Sequence, residues 1–265
     1  MSLIISDFKL IILLMICNIQ ISFSQENEIL NVVYELDYRT SSSDTIRSKD
    51  YFNLVIGKSL SAFDNQSNFK RDSLIENKKN ISRQEIKNLY IPNFDFTIIK
   101  SPDNLVTYDK ASSIEYSRYQ EKKLKEWEYI DDSIKTIKGY KCKSAKISYG
   151  GRLWTAWYTV EIPVQDGPYK FSGLPGLILE ISDEQKFFVF SFHSLRFDAT
   201  LDLKYRSRDR KASTTNRTKF IVAKQKARSS IETFNEADGV TVTFDQAISR
   251  RLSRRLKNRI MIEIE

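Results

Sequence analysis

The chain has 265 residues, 41% of them hydrophobic, and a net charge of +8. That length supports one large β-rich domain, or one with an appendage, able to bury a sizeable core. Beyond the N-terminal apolar run only Cys142 remains, so the mature chain forms no internal disulfide, and no later segment reaches the ~20 apolar residues a membrane span requires.

The N-terminus comes first. Leu10 to Cys17 is an unbroken apolar run, too short to cross a bilayer, and Ser22-Phe23-Ser24 places small residues where a signal peptidase reads. Residues 1–24 therefore read as a secretory signal cleaved before Gln25, with an uncleaved anchor as the alternative. Met15 and Ile16 are not the small residues that precede a lipid-modified cysteine, so Cys17 is not read as lipidated. Residues 25–200 are expected to form an antiparallel β domain. Residues 201–265 are expected to form a basic loop and helical region packed on the same domain.

Leu30 to Arg39 alternates apolar and polar residues, the period of a half-buried strand. Tyr51 to Ile56 and Lys58 to Phe63 read as two strands around Gly57. Asn65 to Asn88 is polar and weakly helical. Short strand signals return at Phe94–Lys100, Leu105–Asp109, Ile114–Tyr119 and Leu124–Ile130, with a turn at Ser101 to Asn104. Ser133 to Lys138 leads through Gly139 into Tyr140 to Tyr149. Gly150-Gly151 is a two-residue hairpin signal, and Leu153 to Val160 is the returning strand. Leu177–Ser182 and Phe187–Phe197 form a further hairpin around Asp183 to Lys186. Tyr205 to Thr218 reads as a loop, Lys219 to Phe234 as a helix, Val240 to Phe244 as a short strand, and Asp245 to about Asn258 as a helix capped by Asp245. The expected fold class is α+β, mainly β: a curved antiparallel sheet from Leu30 to Phe197, half-barrel in shape like the lipoprotein-carrier folds, with C-terminal helices.

Between the last two hairpins lies an apolar turn. Pro175 presets φ and Gly176 supplies the positive φ of a type II turn, yet Phe171, Leu174, Leu177 and Ile178 flank it. Such a turn is either packed in the core or the rim of a pocket. The run Gly139-Tyr140-Lys141-Cys142-Lys143-Ser144-Ala145, then Gly151-Arg152, Ala156-Trp157-Tyr158, Glu161-Ile162-Pro163, Gly167-Pro168-Tyr169-Lys170-Phe171 and Gly173-Leu174-Pro175-Gly176-Leu177-Ile178, resembles the GLPGLI family. The resemblance covers Gly139 to Glu180. It implies an exported bacterial envelope protein and no particular activity; the basic C-terminal third lies outside it.

The strands after Gly151 are apolar on both sides. Trp154, Ala156 and Tyr158 face one way, and Leu153, Thr155 and Trp157 the other. Phe188, Phe190 and Phe192 oppose Phe187, Val189, Leu195 and Phe197, with His193 on the Val189 and Leu195 side. Such strands need cover on both faces, from ordinary core or from an enclosed apolar ligand. Trp154, Trp157, Tyr158, Phe171, Leu174, Pro175 and Leu177 are the candidate contacts for a ligand or partner.

Catalytic signals are weak. His193 is the single histidine, which excludes a His-rich zinc site; no metal site and no cofactor are expected. A Cys142–His193 dyad is possible in form, but Cys142 reads as an inward, inert thiol. Glu161, Asp166, Glu180 and Asp183 lie near the motif, although Asp166-Gly167-Pro168 reads as turn chemistry. Arg152 and Lys170 are expected to stack on Trp or Tyr. Lys204 to Arg228 carries ten basic residues against one acid, and Arg250 to Arg259 six against none. That balance points to anionic envelope polymer or lipid headgroups, or simply to a solvated surface, and not to nucleic acid. The function expected is that of an exported periplasmic or cell-envelope protein, non-enzymatic, binding an apolar ligand or an outer-membrane protein. The alternatives are a hydrolase built on Glu161, Asp166 and His193, and a structural protein holding anionic polymer.

Overall fold

The computed structural model describes residues 30–39, 45–68, 94–111, 116–197, 212–229 and 261–264. The expected signal segment, most of the expected helical excursion after Asn65, the expected strand at Val240 and the expected helix after Asp245 lie outside the described residues.

Among the described residues twelve strands form one sheet, antiparallel apart from its last short pair. In chain order they are β1 (Leu30–Arg39), β2 (Arg47–Ile56), β3 (Ser61–Asn65), β4 (Thr97–Lys100), β5 (Asn104–Lys110), β6 (Tyr116–Lys122), β7 (Glu128–Ile137), β8 (Tyr140–Tyr149), β9 (Arg152–Thr159), β10 (Leu177–Asp183), β11 (Phe188–Phe197) and β12 (Ser213–Thr214). Helix α1 (Arg217–Ser229) follows. The strands lie side by side as β12-β6-β5-β4-β3-β2-β1-β11-β10-β9-β8-β7.

This order forces the sheet to curl. From β6 to β7 there are eleven strands, which laid flat would span about 48 Å at the usual spacing. Yet β6 ends at Lys122 and β7 begins at Glu128, a connection that reaches about 22 Å at most. The two margins must come together. Tyr149 on β8 closes the gap by donating its hydroxyl to both carboxylate oxygens of Glu121 on β6, at 3.0 and 3.1 Å.

The expected strands form with three informative differences. The two strands expected at Leu124–Ile130 and Ser133–Lys138 are one strand, β7, over Glu128–Ile137, and residues 123–127 are the connection. A three-residue bulge separates Ile130 from Ile134, with Asp132 at φ +57°. Because β7 is a sheet edge, the bulge and the two aspartates at 131 and 132 blunt it against edge-to-edge pairing. A second bulge falls at His193: Tyr34 faces Phe192 while Val33 faces Ser194. That extra residue flips the alternation, so Leu195 sits opposite inward-facing Val32 and does not share a side with Val189.

The third difference concerns the apolar turn. The Gly176 N–H donates to Leu174 O at 2.7 Å, a three-residue turn centred on Pro175 in place of the expected type II turn. The N–H of Leu177 is diverted to Ile162 O at 3.0 Å. Gly176 has φ +150°, and an added Cβ would stand 2.0 Å from the carbonyl oxygen of Thr159.

The core lies on the concave side. Val32, Tyr34, Leu36, Phe52, Leu54, Phe63, Ile98, Trp154, Ala156, Phe188 and Phe190 are buried there. Their cover is the segment between β9 and β10, residues 160–176. It folds into the hollow of the sheet, and Phe171 at its centre is fully buried. The Phe171 ring lies 4.9 Å from Trp154, 6.0 Å from Tyr149 and Tyr169, and 6.3 Å from Trp127. Trp127 also donates its indole N–H to Ser172 O at 2.9 Å, tying the β6–β7 connection to the same segment. The outward aromatic side is covered differently, by cationic side chains laid over rings. Lys135 stands 5.5 Å from the centre of Trp157, and Arg39 stands 5.8 Å from that of Phe187.

Candidate functional site

The concave face collects the charges that its apolar walls would otherwise exclude. Among the described residues two lysines are fully buried here, Lys100 beneath the 160–176 segment and Lys170 within it. Both have partners, as buried ions must.

Lys100 ends β4. Strand alternation puts it on the side of Ile98, inward. Its ammonium donates to Asp166 Oδ1 at 2.7 Å, Gly167 O at 2.6 Å and Phe171 O at 3.2 Å, which uses all three of its hydrogens. Ser61 on β3 donates to the other oxygen of Asp166. Burial pulls the Lys100 ammonium below its usual value, against the opposing pull of Asp166. Tyr34 on β1 adds a hydrogen bond to Ile178 O at 2.7 Å. The Lys100 and Ser61 contacts latch the segment to β4 and β3, and Tyr34 ties β1 to the start of β10.

Lys170 lies at the other end. Its ammonium is 2.6 Å from Glu121 Oε1 and 2.6 Å from Glu263 Oε1, and it donates to the hydroxyls of Tyr119 at 3.0 Å and Tyr149 at 2.9 Å. Arg217, the first residue of α1, stands 2.8 Å from Glu263 Oε2 and 3.4 Å from Glu121 Oε2. Tyr169 donates to Glu263. Two cations and two carboxylates thus meet within one buried cluster. It joins β6, β8, the motif segment, α1 and residues 261–264. Burial alone would lower the Lys170 ammonium, but Tyr169, Tyr119, Glu263 and Tyr149 hold it well above the usual lysine value. Burial would raise the Glu263 carboxyl, but Lys170, Tyr169 and Arg217 outweigh it and hold it below the usual carboxylate range.

A pH dependence follows. A carboxyl depressed in the folded state contributes its full stability above the unfolded value, near pH 4.3, and loses it as pH falls through the folded value. Urea midpoints should therefore drop progressively below about pH 4.5. Glu263→Gln should be destabilised at neutral pH, by about 3 kcal/mol, and should show a shallower acid limb. An acid limb unchanged by the substitution would contradict the assignment.

Two further buried pairs complete the picture. Arg152 reaches Asp183 at 2.9 Å, and Lys224 on α1 pairs with Asp109 on β5. Arg217 and Lys224 belong to the basic C-terminal stretch, and each is paired with a carboxylate of the domain.

The residues singled out from sequence are dispersed. Trp154, Tyr158, Phe171, Leu174 and Leu177 are buried in the core, Trp157 is half-buried on the outer face, and Pro175 is exposed. The turn is thus packed at Leu174 and Leu177 and open to solvent only at Pro175. Glu161 lies at the surface and accepts from the Lys141 N–H at 2.8 Å. Asp166 is buried on Lys100. His193 is exposed on the outer face, its ring 5.6 Å from Tyr51. The hydrolase constellation of Glu161, Asp166 and His193 is therefore not assembled. Cys142 is buried and its thiol pushed up by burial. Glu180 pairs with Lys135 at 2.7 Å. Lys170 does lie over tyrosine rings, 4.9 Å from Tyr119 and 5.5 Å from Tyr149 and Tyr169; Arg152 lies over Phe187 and Phe188 instead. Sequence reasoning missed Tyr119, Glu121, Arg217 and Glu263. The one local signal was a lysine set between Tyr169 and Phe171 in an apolar motif, which requires an anion from elsewhere.

Among the described residues no three potential metal ligands gather, and no helix is long and apolar enough to cross a membrane. Among the described residues, a small cavity beside Phe96, Tyr169 and Ile262 measures about 30 Å³. A larger cleft of about 760 Å³ lies at the seam of the curled sheet. It is lined by Lys122, Lys123, Lys125 and Lys146 and by Asp103, Glu126 and Glu128.

The sequence model of a family described as a protein of unknown function (Porph_ging) matches residues 106–180, from β5 into β10. No curated protein matches the chain. PNGF-II, solved in space group C2, matches with a TM-score of 0.52 and 13% identity over 76% of this chain and 33% of that one. The P21 form of PNGF-II matches with a TM-score of 0.51 and 14% identity, covering 83% and 38%. The chain thus spans about a third of the length of those structures, and the likeness is one of fold alone. The LolA superfamily protein NE2245 from Nitrosomonas europaea aligns with 10% identity over 71% of this chain and 92% of that one, at a TM-score of only 0.26.

Proposed function

We propose that this chain is an exported cell-envelope protein of the GLPGLI family that works by docking an outer-membrane partner and not by carrying an apolar ligand. The observation that supports this reading is the filling of the hollow. Residues 160–176 occupy the concave face of the sheet and are locked there by Lys100 and Lys170. The small cavity beside Tyr169 and Ile262 measures about 30 Å³, room for a water and not for an acyl chain, since ligand pockets usually measure 300–1,000 Å³. The motif then serves as the filler of a rigid platform, and recognition belongs to its surface. The large seam cleft has a mixed-charge lining suited to polar contacts with a protein.

Two measurements test this. Native mass spectrometry of protein purified from envelopes should find it free of lipid, and an environment-sensitive hydrophobic dye should not brighten on it. Stoichiometric lipid, or dye binding that Phe171→Ala strengthens, would overturn the reading in favour of a carrier. N-terminal sequencing of the mature protein should begin at Gln25.

A further inference from the structure

A single row of side chains crosses the outer face of the sheet. Trp157 on β9 stands opposite Glu180 on β10, and Glu180 opposite Ser191 on β11. Ser191 stands opposite Glu35 on β1, and Glu35 opposite Tyr51 on β2. Directly opposed residues point to the same side of a sheet, so all share the outer face with Trp157. Four strand spacings, about 19 Å, separate the two aromatics. The row is open to solvent: Tyr51 is 37% exposed, and Trp157, Glu180, Ser191 and Glu35 are half-buried.

Its polar members are already oriented. Glu180 accepts from Lys135 through both carboxylate oxygens, at 2.7 and 2.9 Å. Glu35 accepts from Lys49 at 2.7 Å and from the Tyr51 hydroxyl at 2.6 Å. Each carboxylate thus has its own lysine beside it. The Lys135 and Lys49 side chains are 40% and 57% exposed, and their flexible stems can turn a hydrogen toward an incoming oxygen.

This chemistry narrows the ligand. An anionic polymer would meet two carboxylates at the centre of the row. An apolar chain would find no aliphatic side chain in it. A protein interface has a core depleted of charge, whereas here the charges lie at the centre and the aromatics at the ends. A sugar hydroxyl fits, because it donates to a carboxylate and accepts from an ammonium at once. The electron-rich face of an aromatic ring attracts the C–H face of a sugar.

We propose that the row from Trp157 to Tyr51 binds a neutral linear oligosaccharide, stacked on the two aromatics and hydrogen-bonded between them by Glu180, Ser191 and Glu35. The site binds and does not cleave. Glycoside cleavage needs a carboxyl that holds a proton to give. Glu180 is bonded through both oxygens to an ammonium. The hydrogen bonds from Lys49 and Tyr51 hold the Glu35 carboxyl below the usual carboxylate range. The row shares no residue with the seam cleft, so it stands independently of the docking reading.

The probes are neutral linear pentasaccharides of glucose, mannose, galactose and N-acetylglucosamine, titrated into isotope-labelled protein and followed by amide shifts. At least one should bind saturably, remain uncleaved, and shift amides of β9, β10, β11, β1 and β2. Trp157→Ala and Tyr51→Ala should each weaken it about tenfold, the loss of one stacking contact. Tyr51 is exposed, so its substitution keeps the test valid if Trp157→Ala proves unstable. Tyr129→Ala, at an exposed tyrosine outside the row, should leave binding unchanged. Affinity should also be the same at low and high salt, because the ligand carries no charge. Absence of binding at about 10 mM of every probe, or binding that survives both aromatic substitutions, overturns the proposal. So does preference for an oligogalacturonate that fades as salt rises. Failure here leaves the docking reading standing, whereas a co-purified lipid would overturn that reading and leave this row untouched.

Discussion

Lys170→Met is expected to lower the unfolding free energy by about 3–5 kcal/mol, read as a fall in the urea midpoint at neutral pH. The substitution keeps the length of the side chain and removes its charge. Glu121 and Glu263, each 2.6 Å from the ammonium, would be left with Arg217 as their shared cation. The hydroxyls of Tyr119 and Tyr149 would each lose a donor. The penalty arises from uncompensated burial, so it should shrink when one carboxylate is neutralised as well. Lys170→Met with Glu263→Gln should be less destabilised than the sum of the single changes, by more than about 1 kcal/mol of coupling. Strict additivity would show that the cluster does not act as a unit.

Gly176→Ala should have a comparable effect for a different reason. The new methyl would stand 2.0 Å from Thr159 O and 2.6 Å from the Thr159 carbonyl carbon, both backbone atoms of β9. Neither can yield without breaking the β9–β10 ladder that begins with Leu177 and Thr159. The backbone at φ +150° adds strain for any L side chain. Together the two should cost more than about 3 kcal/mol. Pro175→Ala, one residue away, exposes no new surface and breaks no hydrogen bond of its own, so it should stay within about 1 kcal/mol. Equal sensitivity at the two positions in a thermal-unfolding series would contradict this account of the motif.

Much of the fold was legible in the chain. Strand β1 follows from the alternation of Val32, Tyr34, Leu36 and Tyr38, and the β8–β9 hairpin from Gly150-Gly151, both at positive φ. The register of an antiparallel sheet is set by such local patterns. Two bulges were not legible. His193 is an ordinary member of the β11 run by sequence, and only its partner β1 shows that it is the unpaired residue. Residues 131–133 are likewise extra only relative to β8. A bulge is a property of two strands, and one strand read alone does not contain it.

The candidate site was less legible still. Lys100 could be placed inward because it shares a side with Ile98, but its acceptors come from Asp166, Gly167 and Phe171. Lys170 could be marked as a cation among aromatics, but the hydroxyl that meets its partner Glu263, that of Tyr169, does so across 94 positions of chain.

By itself, then, the sequence determined what depends on neighbours a few residues apart: the strands, the hairpins, the glycine required at 176 and the apolar character of the 160–176 segment. The tertiary structure decided where that segment goes. A connection of five residues between opposite margins of an eleven-strand span forces the sheet to curl, and the curl creates a hollow that the segment fills. It also decided which charges meet, since burial leaves an ion no partner but those the fold brings to it, however distant they are along the chain.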